Sequence, residues 1–167
     1  HHLPAAAVAM AATLDPILVA ALLALVVEFR IKSAYIDAFD AFLKEEPKKE
    51  EPKDAKPLTD KEKADKDKEA DKKRREKLAA DLEKILHEYP DDLEAKALLG
   101  WHLWMSRSKG VPIVSYFAVD ALLRDVLEKN PLHPCHHYII HLWDYEKAER
   151  ALDSASKCGQ AAPAIAH

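Results

Sequence analysis

The chain has 167 residues, of which only 3 are glycine, and a formal net charge of −4 from 25 basic and 29 acidic side chains. Alanine, leucine, lysine and glutamate dominate, a mixture rich in helix formers and poor in turns, which argues against a sheet protein. Interleaved charges of both signs give no footprint for nucleic acid or an anionic membrane surface. Two cysteines, Cys135 and Cys158, are too few for a disulfide framework and leave the redox compartment open.

Residues 1–43 read as apolar N-terminal helices. Residues 5–29 are almost continuously apolar, with Asp15 and Pro16 interrupting the run. The later piece, residues 17–27, falls short of the about 20 apolar residues that span a bilayer. No basic leader precedes it, since His1 and His2 do not form one. Buried helices are the expectation here, and a membrane tether, or a shortened signal or anchor, through residues 5–29 is the alternative.

Residues 44–77 form a charged insert. Lysine, glutamate and aspartate alternate there, with Pro47, Pro52 and Pro57 in the first part. With almost nothing to bury, that part reads as an exposed loop. The second part reads as a solvated helix. Thr59 and Glu62 have capping-box spacing, and the acid–base pairs that follow suit i,i+4 contacts. A charged arm for a partner is the functional alternative to a solvated spacer.

Residues 78–167 carry the helix pairs. Pro16, Pro90, Pro131 and Pro163 each read as the stop of an apolar segment, and the last two intervals approach a 34-residue helix-pair period. Leu78, Leu82, Ile85 and Leu86 recur at helical spacing up to Pro90. Asp91 and Asp92 offer a cap, and Leu93, Ala97, Leu98, Gly100 and Trp101 begin the next helix, with Gly100 as a point of close approach. A second stripe of Ala118, Leu122, Val126 and Leu127 ends at Asn130 and Pro131. The helix after it carries His136, His137, Ile140 and His141, and a last stripe of Ala148, Leu152 and Ala155 closes at Cys158. A loop with Gly110 and Pro112 makes the repeat irregular. The fold class predicted is all-α, a tetratricopeptide-like (TPR-like) α-solenoid of antiparallel helix pairs.

Three segments carry a family resemblance: Ser33 to Ala38, Tyr89 to Ala95, and Asn130 through His133, Cys135, His136, His137 and His141 to Asp144, Ala148 and His167. In that order they resemble a family of bacterial tetratricopeptide-repeat proteins of mostly unassigned biochemistry, over about residues 30–167. The chain departs from the family where Cys135 and His136 replace a glycine–alanine pair, and in its longer insert after Leu43. The resemblance also implies a second histidine motif, of the His-Met-Pro-Ser-His type, beyond His167, where this sequence ends. A site completed by that motif is expected to be incomplete in this sequence.

The histidines are the only candidates for chemistry. His133, His136, His137 and His141 fall within nine residues, and His137 and His141 lie one helical turn apart, a spacing at which two imidazoles can reach one ion. A metal set of His133, His137, His141 and His167 follows, with Cys135 as a soft neighbour and zinc, copper or iron as the candidate ion. Structural histidines are the competing reading: His141 as a core residue facing its helix partner, and His133 as a cap. General acid–base catalysis is a third. Trp101, Trp104, Trp143 and Tyr138 can line a groove or fill the core. No phosphate-binding glycine loop, Ser-His-Asp order or paired catalytic carboxylates occur, which leaves an enzyme assignment open. The function expected is a scaffold that binds a peptide or partner protein on a face carrying Lys96, His102, His137 and Asp144, without nucleic acid. Metal binding by the histidine cluster is the alternative.

Overall fold

A computed structural model describes residues 16–44 and 59–163. The described residues form six α-helices and two short 3-10 turns, with no strand. Two compact units divide the chain, residues 1–37 and residues 38–167.

The first unit is described through most of α1 (Pro16–Leu43). Pro16 opens this helix rather than closing one. Its fixed φ suits a first helical position, where the missing N–H is not needed. Residues 20–30 are exposed all round the helix instead of buried, with Leu23 and Leu25 each 61% accessible. No helix among the described residues is long and apolar enough to cross a membrane.

The second unit begins with the end of α1, where Ala38 is buried. It continues through α2 (Asp60–Glu88), α3 (Leu93–Ser106), a 3-10 turn (Arg107–Lys109), α4 (Tyr116–Lys129), α5 (His136–Trp143), a second 3-10 turn (Ala148–Ala151) and α6 (Leu152–Ala161). Thr59 starts α2 with a full capping box: its hydroxyl accepts from the Glu62 N–H, and the Glu62 carboxylate accepts from the Thr59 N–H. The first turns of α2 are wholly exposed. Burial begins only where Leu78, Leu82 and Ile85 supply a face. Asp92 and Ser115 cap α3 and α4 by accepting from Ala95 and Ala118 N–H.

From α2 onward each helix packs on the next, and α3 also touches α5. Leu123, Val126, Ile139 and Leu142 form the centre of the core, each stabilising the fold by about 1.5–3 kcal/mol through burial. Gly100 faces Leu123 so closely that a Cβ there would lie 2.7 Å from the Leu123 Cδ2. This close approach sets the spacing of α3 and α4.

Two helices turn differently from the expected stripes. In α6 the buried positions are Ser154 and Cys158, flanked by buried Ala151 in the turn before it and Ala162 just after it, while Leu152 is 65% exposed and Ala148 and Ala155 are also outside. Small residues suffice because α6 lies close against α5, so the largest apolar side chain is no guide to its inner face. In α4 the buried face includes Asp120. Its carboxylate accepts from Trp143 Nε1 at 2.8 Å, Arg124 Nε at 2.9 Å and Arg150 at 3.1 Å. Burial pushes the Asp120 carboxyl up, but these three donors outweigh it and hold it below its ordinary range. The Arg150 guanidinium lies over both Phe117 and Trp143, so one ionic knot ties α4, α5 and the second 3-10 turn together. Both cysteines are free and buried. Burial pushes the Cys135 thiol up to about 12, which keeps it protonated and inert at neutral pH.

Candidate functional site

The half-buried side of α3 and α5 is a sheet of rings. Trp101 and Trp104, three residues apart on α3, stack at 4.9 Å between centroids. Trp101 also stacks on Tyr138 at 4.8 Å, and Trp104 on His141 at 4.7 Å. His137, one turn before His141, meets it edge-on at 4.5 Å. The two helices are pinned by Trp104 Nε1, which donates to the His141 carbonyl at 2.7 Å. That carbonyl lies in the last turn of α5, where helix carbonyls call for donors from outside the regular ladder. Ring packing and end-capping of a short helix are thus one arrangement. Burial raises the Tyr138 hydroxyl above its ordinary range, with smaller contributions from Cys135 and Glu94.

Beside Trp104 opens a recess of about 520 Å³, bordered by Arg75, Arg107, Lys109, His141 and Asp144, within the usual size of ligand sites. The Arg107 guanidinium lies 4.3 Å over the Trp104 ring and donates to the Trp104 carbonyl at 2.9 Å. Asp144 accepts from His141 Nδ1 at 3.3 Å. Asp144, just past the end of α5, reaches back three positions to make this bond.

The four histidines near α5 divide. His136 is buried, its Nε2 donating to the Pro131 carbonyl at 3.0 Å and its Nδ1 bonded to Ser154 Oγ at 3.1 Å. His133 is also buried. Its Nδ1 accepts from the Cys135 N–H at 3.1 Å, capping the entry to α5, which leaves Nε2 to donate to Glu94 at 3.2 Å. His137 and His141 belong to the ring surface. His167 lies outside the described residues. No three His, Cys, Asp or Glu side chains among the described residues form a group that could hold a metal ion.

Of the residues expected on a partner face, His137 and Asp144 lie at the ring surface and the recess. Lys96 is buried and paired with Asp125, across from α3 to α4. His102 points to α2, donating Nε2–H to the Arg75 carbonyl at 2.8 Å and meeting Phe42 edge-on. Desolvation lowers its pKa from 6.5, outweighing the hydrogen bond to Arg75.

The sequence reading missed Arg75, Arg107, Lys109 and Tyr145. Trp104 and Arg107, three apart, carry a legible cation–π spacing. Arg75 comes from another helix, and no local pattern could have joined it to them. No family model matches the chain, and no curated protein or solved structure shows significant similarity to it.

Proposed function

We propose that the chain is a TPR-like scaffold of antiparallel helix pairs that binds a peptide or partner protein. The observation that carries this reading is the partly exposed ring surface of Trp101, Trp104, His137, Tyr138 and His141, built by two alternate helices, α3 and α5. Rigid aromatic area with polar tips is the chemistry enriched at recognition surfaces. Contact between alternate as well as successive helices is what a stack of helix pairs uses to keep one face open.

A photo-crosslinking residue in place of His137, with Lys66 on the charged stretch of α2 as control, tests the reading. Crosslinks to another polypeptide from position 137 and none from position 66 are expected. Equal crosslinking at both, or none at 137, removes the reading.

One observation favours a second reading, metal binding with zinc, copper or iron. His137 and His141 meet at 4.5 Å, and Asp144 stands 3.3 Å from His141. The reading has fewer groups to stand on, because His133 is committed to Glu94 and the Cys135 N–H. Stoichiometric metal by elemental analysis, lost in a His137→Ala, His141→Ala double variant, would favour it over the scaffold alone.

A further inference from the structure

We infer that the recess beside Trp104 takes an acidic peptide segment that carries an aromatic side chain. This rests on the scaffold reading and names its ligand. Three cations from two separate parts of the chain border the recess: Arg75 on α2, and Arg107 and Lys109 on the turn after α3. Asp144 is the one acid at its edge. The chain as a whole is acidic, at −4, so this cationic lining is local and not a consequence of composition.

The counter-charges leave the lining cationic. Asp144 is engaged by His141 Nδ1. Asp71 accepts from Arg75 Nε at 3.0 Å and its charge also acts on Lys109, so two carboxylates stand against the three cations; Arg107 gives one N–H to the Trp104 carbonyl. A guanidinium carries five N–H donors, so neither bond exhausts its arginine. Paired N–H donors of this kind match a carboxylate in geometry and strength.

The apolar half of the recess decides between a bare anion and a peptide. Trp104 offers its ring, Met105 is 43% exposed and Tyr145 is 87% exposed at the rim. A compact anion would use only the cations. A ligand with a flat side chain covers the rings as well. The volume of about 520 Å³ admits an aromatic side chain and its neighbours but not a folded domain. Gly110 ends the turn at φ 86°, a conformation that side chains rarely adopt, and so fixes where Lys109 emerges.

The test is selection of a random peptide library displayed on phage against the whole chain, followed by binding of the synthesised winners to the whole chain and to Lys109→Glu. Lys109 is exposed, and a thermal melt checks that the variant remains folded. Arg107→Gln serves as a second variant that removes charge without reversing it. Expected are winners rich in Asp and Glu around an aromatic residue, about tenfold weaker on Lys109→Glu, and weakened by added salt. Winners that are basic or uncharged, or that bind both variants as well as the parent, overturn the recess ligand while leaving the scaffold reading in place. Free phenylpropionate competing as well as the peptide also overturns it, because the ligand would then be a small acid. Recovery of no binding peptide overturns the recess ligand, while the scaffold reading falls only if position 137 also gives no crosslink to another polypeptide.

Discussion

The two sides of α5 carry the same residue type to opposite ends. On the inner side His136 is buried with both ring nitrogens bonded, beside Ile139, Leu142 and Trp143. On the outer side His137 and His141 sit half-buried among Trp101, Trp104 and Tyr138. The chain between them is one helix of eight residues. The histidines of this helix therefore lie on two sides of it. They are sorted by helical phase, and the inner one serves the fold.

The largest expected effect breaks the inner side. Asp120→Ala leaves Arg150, Arg124 and the Trp143 indole without their acceptor, and loss of one partner in a buried ionic knot costs about 3–5 kcal/mol. Urea unfolding measures this, and a loss below about 1 kcal/mol would show the knot to be dispensable. His136→Ala comes next. Two buried hydrogen bonds and a filled volume disappear, for an expected loss of about 2–4 kcal/mol. His137→Ala should cost less than about 1 kcal/mol by the same assay, since a partly exposed side chain gives up less packing. Equal losses for the two would erase the distinction between the sides of α5.

Gly100→Ala sharpens the comparison at the α3–α4 contact. The added methyl gains about 1 kcal/mol of helix propensity but must displace the buried Leu123 side chain. A net loss of about 1 kcal/mol is expected from overpacking. A more stable variant would mean that Leu123 shifts freely.

The smallest effect is one of pH. His102 has its folded-state pKa lowered from 6.5 because its ring is desolvated against α2. A lowered value means that the folded state favours the neutral ring. This contribution is fully present above pH 6.5 and is lost as pH falls through the folded value. Asp120, also lowered, loses its contribution only further down, below the carboxylate range. Urea midpoints between pH 7 and 5 should therefore fall slightly in the parent and less in His102→Gln. A parent midpoint that rises over that range would reverse the sign and contradict the placement of His102.

Much of this fold was legible locally. The Thr59 and Glu62 box, the Asp92 cap, the stop at Asn130 and Pro131 and the close approach at Gly100 each rest on residues a few positions apart, and each has a short-range physical cause. The sorting of side chains by phase was less legible. The α6 face was assigned to Leu152 because leucine outweighs alanine and serine in any apolar stripe, yet Ser154 and Cys158 turn inward. Asp120 gave no sign of burial, since its three donors come from residues 4, 23 and 30 positions away. Trp143 and Trp104 could not be told apart by spacing alone. One is sealed in the core over Asp120, while the other floors a recess whose cations come from two elements.

The division of α5 is tested most directly by measuring unfolding and peptide binding on two variants side by side, His136→Ala and the double variant His137→Ala, His141→Ala, with a library-selected peptide as ligand. The account predicts that His136→Ala lowers the urea midpoint while its folded fraction still binds. It predicts that the double variant keeps a near-parental midpoint and loses binding. A double variant that unfolds as readily as His136→Ala, or one that stays folded and binds as the parent does, would contradict the assignment of the outer side of α5 to recognition.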